Sequence, residues 1–344
     1  MGVKLAQLIP VYEAAKLLSL IGEYEESARC YQHVATTFPS REVYNNAGVN
    51  MATQALSLYK KEECDYFYPF GLDEGSRLYQ DGSKGGDPIV LREELLEEAI
   101  NNFEKAMQLD KSYTPVYINI ALTYDLIGEK EMALAMALKA HRMAKENKDT
   151  VLLANALIAE GIIQAHLNNK KATKLAFNEA MIGNERIAKL NFLVLKKGVP
   201  FHELMDKKET AEITSNAQES INEVDPSLME VLLDDAKMIR LKSQSKERRK
   251  VKIYSYDKDG IKAIHVKHYT NPINETSFIL TTNDFDGSTS RGIQLNDEMD
   301  EVIKAYGIPT KITSGINGNY FVYKQTRIIF RTNEHDRVSH WILY

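Results

Sequence analysis

The sequence predicts a mainly α protein, in which a solenoid of helical hairpins is followed by a small α+β domain with an antiparallel sheet. The first observation is a repeat, because the same positions return 34 residues later: Ala99, Phe103 and Ala106, then Ala133, Ala137 and Ala140. The second is a change of period near Lys252, after which apolar and polar residues alternate as they do in strands.

Composition excludes several classes of protein. The net charge of −5 argues against a nucleic-acid binder, and two cysteines are too few for a disulfide scaffold or a four-cysteine zinc site. No apolar run is long enough to cross a membrane, and the N-terminus lacks the layout of a signal peptide. We therefore expect a cytoplasmic protein without a membrane span, cofactor, nucleic-acid partner or small-molecule substrate.

Spacing suggests three regions. Gly48 lies 51 residues before Ala99, whereas Ala121 lies only 12 before Ala133, so one hairpin holds about 39 extra residues. We predict a solenoid over 1–200 with an insertion at about 58–91. A linker with a capping helix at Pro226–Leu241 should occupy 201–250, and the α+β domain should occupy 251–344.

Glycines and prolines mark the helix ends. Gly22 and Gly198 should each end a helix, and Pro39 should close the second one. Gly48, Ala121 and Gly161 occupy equivalent places, where a small residue lets two helices approach closely.

The hairpins resemble the tetratricopeptide repeat (TPR) family at three sets of positions: Tyr44, Ala47, Gly48 and Met51; Tyr117, Ala121, Tyr124, Gly128 and Ala133; and Leu157, Gly161, Phe177 and Ala180. The resemblance implies a groove that binds a protein or peptide partner. The residues expected to line it are Tyr12, Lys16, Asn45, Val49, Ile118 and Leu122. They do not match the carboxylate clamp of chaperone co-factors, so an apolar and aromatic groove is expected. One candidate for its occupant is the insertion itself.

The insertion carries four clustered aromatic residues, Tyr66, Phe67, Tyr68 and Phe70. Exposed aromatics of this kind are typical of binding surfaces. The alternative is that they pack back onto the helices. The Gly- and Asp-rich stretch 81–88 should be mobile.

In the C-terminal part we predict six strands, at 252–256, 263–267, 277–282, 320–323, 327–331 and 338–343, with a turn at 257–260. Asn296 should cap a helix that runs from 296 to 306. Four segments carry a resemblance to a small module of bacterial secreted proteins: Tyr306–Pro309, Tyr323, Ile328–Phe330 and Val338–Leu343. It is similar to the small subunit of the outer-membrane assembly machinery and to β-lactamase inhibitory proteins, which implies protein binding without chemistry.

No catalytic or metal-binding motif is complete. His202 and Glu203 begin a zincin-like string, but Asp206 stands where the second histidine is needed. Gly287 and Gly292 have the spacing of a phosphate loop but lack the Lys-Ser/Thr that follows one. His265 and His268 should face opposite sides of a strand.

The sequence therefore favours a non-catalytic scaffold for protein–protein interaction over an enzyme. The alternative is the accessory, non-catalytic region of a larger peptidase-like enzyme. The helical part resembles TPR regions that follow peptidase-like domains in Bacteroidetes-type proteins, particularly in the tyrosine-rich insertion that ends at Ser76–Leu78.

Overall fold

A computed structural model describes residues 2–59, 64–73, 88–201, 204, 219–221, 224–229, 236–240, 250–258, 261–269 and 274–344. The chain forms two compact units. The first contains Met1–Phe38, Glu209–Ile312 and Gly318–Tyr344, and the second contains Pro39–Lys208 and Thr313–Asn317. The predicted domain limits at 200 and 250 stay predictions.

The second unit is a row of helices that follow one another in pairs. Its elements are α3 (Arg41–Ser57), β1 (Gly71–Leu72), α4 (Pro88–Leu109), α5 (Thr114–Leu126), α6 (Lys130–Glu146), α7 (Thr150–His166), α8 (Lys170–Ala180) and α9 (Glu185–Lys197). Each helix packs on the next, and α3, α5, α7 and α9 also pack in series. This is the contact pattern of stacked hairpins.

The helix ends follow local chemistry. Gly198 ends α9 in the left-handed conformation, at φ +63°, as predicted. Asp149 caps α7 by accepting a hydrogen bond from the Leu152 N–H at 2.9 Å, and Asn169 caps α8 by accepting one from the Ala172 N–H at 3.3 Å.

Close packing within two hairpins depends on a glycine opposite a phenylalanine. A Cβ added at Gly48 would lie 2.5 Å from a ring carbon of Phe103, and one added at Gly161 would lie 2.5 Å from a ring carbon of Phe177. In the hairpin between these two, α5 and α6 each contribute an alanine instead, and Ala121 and Ala137 lie in one core cluster. The predicted close contact at Gly48 is confirmed.

The first unit combines helices with a sheet. Its elements are α1 (Gly2–Ile21), α2 (Tyr24–Ala35), β2 (Lys237–Arg240), β3 (Lys250–Lys258), β4 (Ile261–Tyr269), β5 (Asn274–Thr281), α10 (Met299–Tyr306), β7 (Gly318–Tyr323), β8 (Ile328–Thr332) and β9 (Val338–Leu343). These strands lie in the order β7-β8-β9-β5-β4-β3-β2. Strand β6 (Lys311–Gly315) passes from the first unit into the second.

The chain is therefore mixed α+β rather than mainly α. Among the described strands, β2 with β3, β3 with β4, β4 with β5, β5 with β9, β7 with β8 and β8 with β9 pair antiparallel in the first unit, while β1 and β6 pair in parallel in the second. Aromatic residues from the helix and strands fill the core of the first unit: Tyr306, Phe321, Tyr323, Phe330 and Trp341. The predicted strands from 252 onward are confirmed in kind, and β6 was not predicted.

Two local predictions were wrong. A helix was predicted at Pro226–Leu241, but Lys237–Arg240 forms strand β2, which pairs with 252–255 of β3. An apolar pattern over so few residues is compatible with a helix or a strand. Helix α10 begins at Met299 rather than 296, because the Asn296 N–H donates to Val338 O at 2.8 Å and holds this residue outside the helix at φ +69°. Several predicted features fall outside the described residues: the mobile stretch 81–87, the Ser76–Leu78 motif, most of the linker and half of the 257–260 turn.

Lys311 is a buried amine at the end of α1. Its Nζ donates to Ser19 O at 3.1 Å and to Leu20 O at 3.3 Å, and it lies 5.2 Å from the ring centroid of Tyr24. Burial, together with the smaller effect of the Lys324 charge, lowers the pKa of Lys311 to about 7.

This depressed pKa predicts a specific pH dependence. Above about pH 7 the folded state releases a proton that the unfolded state keeps until its lysine titrates near 10.5, so the free energy of unfolding should rise with pH in this window. Lys311→Met should remove up to about 1.4 kcal/mol of that rise per pH unit. The single tryptophan, Trp341, lies in the core of this unit, so its fluorescence during denaturation at pH 7, 8 and 9 is the measurement. Parallel curves for the two proteins would contradict the assignment.

Candidate functional site

One buried asparagine recurs on the first helix of each successive pair in the second unit. Asn46, Asn119 and Asn155 are each the sixth residue of α3, α5 and α7, and Asn191 is the seventh of α9. We call these four residues the asparagine row. Because their helices pack in series, the row presents side-chain amides at successive positions along the unit.

Three members of the row each bind one residue of the insertion through both backbone groups. Asn191 accepts from the Phe67 N–H at 2.9 Å and donates to Phe67 O at 3.1 Å. Asn119 bonds in the same way to the N–H and O of Gly71, at 2.9 and 3.1 Å. Asn46 does so with Asp73, at 2.7 Å for both bonds.

The two neighbouring bound residues, Gly71 and Asp73, are two positions apart because the chain is extended there, whereas between Tyr68 and Phe70 it turns tightly, with the Phe70 N–H donating to Tyr68 O at 3.0 Å. Successive residues of an extended chain point their backbone groups toward opposite edges. Leu72 accordingly turns away from the row, and its carbonyl accepts from the Ile316 N–H at 3.1 Å, next to the parallel pairing of Gly71 with Ser314. The segment 64–73, which we call the inner segment, is therefore bound along both edges near Gly71.

Aromatic side chains of the inner segment pack into the helices. The Tyr66 ring lies edge-on to His166, with centroids 5.5 Å apart, and 6.1 Å from Phe177. The Phe67 ring lies 5.4 Å from that of Phe201. Tyr66, Phe67 and Phe70 are buried, so these aromatics pack back onto the unit as the alternative hypothesis held.

A polar cluster binds the hydroxyl group of Tyr68. The Tyr68 hydroxyl donates to Asp125 Oδ2 at 2.9 Å, and His166 Nδ1 lies 2.8 Å from the same oxygen. Burial raises the pKa of Tyr68 well above its ordinary value, and the charge and hydrogen bond of Asp125 raise it further. The phenol therefore stays protonated and acts as a donor to a buried carboxylate.

Loss of this hydroxyl should destabilise the second unit. Tyr68→Phe removes a hydrogen bond to a charged group, which typically contributes about 1.5–3 kcal/mol. The matched control is Tyr59→Phe, which removes a hydrogen bond of 3.0 Å to the neutral carbonyl of Leu126 and should cost about 0.5–1.5 kcal/mol. Urea denaturation followed by far-UV circular dichroism measures both, and equal costs would argue against an ionised Asp125 partner.

The far end of the inner segment is held by a second tyrosine. The Tyr113 hydroxyl donates to the Asp73 carboxylate, and the Arg41 guanidinium lies 4.7 Å from the Tyr113 ring centroid. Burial raises the pKa of Tyr113 well above its ordinary value, and so does the charge of Asp73. Asp73 is thus recognised through its backbone by Asn46 and through its side chain by Tyr113.

The predicted groove residues divide between the two units. Tyr12 and Lys16 belong to α1 in the first unit, where Tyr12 is 1% exposed and packs edge-on against Tyr31. The other four are buried in the second unit: Asn45, Val49, Ile118 and Leu122. Asn45 takes part in the site, because its Nδ2 donates to Gly71 O at 3.1 Å and its Oδ1 accepts from Asn119 at 2.7 Å. The role of these six groove residues in contacting a partner stays a prediction, and so does that of the four aromatic residues of the insertion.

Sequence reasoning missed the asparagine row, although one signal was available. The sixth residue of α3, α5 and α7 is an asparagine, and in α5 and α7 it lies between two apolar neighbours. Such a residue on a buried helix requires hydrogen-bond partners, and a bound backbone supplies them. Asp125 and His166 were also missed, because their relation to Tyr68 depends on contacts far apart in sequence.

The arrangement binds an extended backbone through side-chain amides. Within the described part of the chain, no group of three His, Cys, Asp or Glu side chains is placed to hold a metal ion. A search of the same residues found no helix with the length and apolar character that crossing a membrane requires.

No family model matches the chain. The chain is similar to peptide chain release factor 3 of Lactobacillus johnsonii, with 30% identity over 138 residues. That similarity covers 37% of this chain and 26% of the release factor, so the chain spans about a quarter of the length of this relative, and a match of this extent does not place it in a family.

Proposed function

We propose that the chain is a non-catalytic scaffold of the TPR class that holds an extended segment of a partner protein against the asparagine row. The observation that carries the proposal is the two-point binding of Phe67, Gly71 and Asp73 by three asparagines on three helices. Such contacts require only an extended backbone, so they suit the binding of a protein segment and perform no chemistry.

Helical packing supports the assignment to the TPR class. The pairs α3–α4, α5–α6 and α7–α8 pack around a small residue on the first helix and a small or aromatic residue on the second. The 34-residue offset between α4 and α6 agrees with the TPR period. In this proposal the sheet of the first unit is a second, separate binding module, as the resemblance of its motifs implies.

Capture of a partner by the full-length chain tests the proposal. Wild type and four variants would be used as bait in cells of the source organism, with bound proteins identified by mass spectrometry. Asn119→Ala and Asn191→Ala, alone and combined, should reduce recovery of the same partner by about tenfold or more, because each removes two hydrogen bonds to its backbone. Asn178→Ala, at an exposed position of α8, is the control and should leave recovery unchanged. Equal recovery of the partner protein by wild type and all folded variants would contradict the proposal.

The runner-up function is the accessory region of a larger peptidase-like enzyme. It is favoured by the resemblance of the tyrosine-rich insertion to those that follow peptidase-like domains. The gene decides between the two: an in-frame catalytic domain next to this region supports the accessory role, and its absence supports the stand-alone scaffold.

A further inference from the structure

We propose that the inner segment is an internal ligand of the asparagine row, and that the partner is a protein segment of similar chemistry that displaces it. The partner segment would be extended and aromatic, with tyrosine at the position of Tyr68 and glycine or alanine at that of Gly71. This inference rests on the proposed function, since it names what competes for the same site.

The hydrogen bonds of the row are the first reason to treat the inner segment as a ligand. Asn191, Asn119 and Asn46 all bind main-chain atoms, which every extended peptide presents. The bound residues lie far from the row in sequence, with 124 positions between Phe67 and Asn191. The contact is thus tertiary, and a segment from another molecule could make it equally well.

Side-chain contacts restrict which segment fits. Asp125 requires a hydroxyl donor where Tyr68 lies, and the space between His166 and Phe177 takes the flat ring of Tyr66. A Cβ added at Gly71 would lie 3.9 Å from Asn119 Oδ1, so this position accepts glycine or alanine without a clash. The chemistry selects a Tyr-x-Tyr segment, followed three residues later by glycine or alanine, over a generic one.

Pro69 makes the inner segment an imperfect ligand. Residues 67, 71 and 73 bind α9, α5 and α3, and α7 contacts both α5 and α9, so Asn155 is the member of the row that is left for the stretch between 67 and 71. In that stretch the chain turns tightly at Pro69, since the Phe70 N–H donates to Tyr68 O at 3.0 Å. Proline has no N–H and cannot form the two-point contact. Asn155 Oδ1 instead accepts from Asn184 Nδ2 at 2.7 Å. A partner segment with another residue at this position has one more donor to offer.

Because the inner segment is part of the same chain, its effective concentration determines how tightly a competing segment must bind to displace it. A tethered ligand acts at an effective concentration on the order of 1 mM. A free peptide of the same sequence should therefore reach half-displacement near that concentration, and a better-matched segment below it. The inner segment would therefore exclude weakly binding segments from the asparagine row.

Amide exchange of the native full-length chain tests displacement. The chain is labelled with ¹⁵N, and the probe is an unlabelled peptide of residues 65–73 with alanine in place of Pro69. At about 2 mM, roughly twice the effective concentration of a tether, the peptide should speed exchange of the chain's own Phe67, Gly71 and Asp73 amides about threefold or more. Amides of α5 and α7 should not change. The control peptide is N-methylated at the residues matching Phe67, Gly71 and Asp73, which removes the donors and should have no effect.

A second measurement uses a full-length chain in which a Gly-Ser sequence of equal length replaces 65–73. Its affinity for the fluorescently labelled alanine peptide should exceed that of the native chain by about tenfold or more. Unchanged exchange in the native chain at 2 mM peptide overturns the inference, even if the replaced chain fails to fold. A folded replaced chain that does not bind the peptide overturns it too.

Failure of this inference and failure of the proposed function give different results. If the inner segment cannot be displaced but Asn119→Ala still loses a captured partner, the row binds partners in another way and the proposed function stands. If the asparagine variants capture the partner as well as wild type does, while the peptide displaces the inner segment as expected, the proposed function fails and the inner segment is still an internal ligand of the row.

Discussion

Gly48→Ala should destabilise the second unit by about 2 kcal/mol, although alanine in place of a glycine inside a helix normally stabilises the protein. At an ordinary helical site the same change stabilises by about 0.5–1 kcal/mol, because alanine loses less backbone freedom on folding. Here the new Cβ would lie 2.5 to 2.8 Å from three carbons of the fully buried Phe103 ring. Overpacking of this kind costs typically 1–3 kcal/mol, in addition to cancelling the gain in propensity.

A double-mutant cycle with Phe103→Leu checks the cause. In the leucine background, Gly48→Ala should cost at least about 1 kcal/mol less, because the smaller side chain makes room for the methyl group. Far-UV circular dichroism follows the helices during urea denaturation, while Trp341 fluorescence reports the first unit separately. Stabilisation by Gly48→Ala would show that Phe103 does not press on this helix.

Asn119→Ala is expected to have an effect of similar or greater size, about 2–4 kcal/mol. Asn119 accepts from the Gly71 N–H at 2.9 Å, donates to Gly71 O at 3.1 Å and donates to Asn45 Oδ1 at 2.7 Å. Its removal leaves the Asn45 amide oxygen and the Gly71 backbone without these partners in a buried region. Each polar group left unsatisfied costs about 1–3 kcal/mol.

The matched control is Asn178→Ala, which makes the same chemical change on the exposed side of α8. It should alter the free energy of unfolding by no more than about 0.5 kcal/mol. A similar small change for Asn119→Ala would mean that the inner segment does not depend on the row, and the proposed binding mode would lose its basis.

The helical part could be predicted because its signals are local. The 34-residue offset places Ala99, Phe103 and Ala106 against Ala133, Ala137 and Ala140, and the fully buried Phe103 meets Gly48 across a hairpin. The helix ends at Gly22 and Gly198 follow from residues that adopt positive φ, at +93° and +63°.

The site could not be predicted in the same way, because it depends on pairings between distant residues. Tyr66 and Phe67 were recognised as notable, but nothing local states that Phe67 meets Asn191 or that Tyr68 meets Asp125. The missed strand at Lys237–Arg240 has the same origin, since its structure is determined by pairing with β3. In both cases tertiary hydrogen bonds decide the conformation of a segment whose local pattern permits several.

The most direct test of the asparagine row is residue-resolved amide exchange in the wild-type chain and its single asparagine variants. The Phe67, Gly71 and Asp73 amides should be protected in wild type, since each donates to an asparagine at 2.7 to 2.9 Å. Asn119→Ala should speed exchange most at Gly71, Asn191→Ala most at Phe67 and Asn46→Ala most at Asp73. Exchange of these three amides at the rate of an unstructured peptide in the wild-type chain would contradict the account.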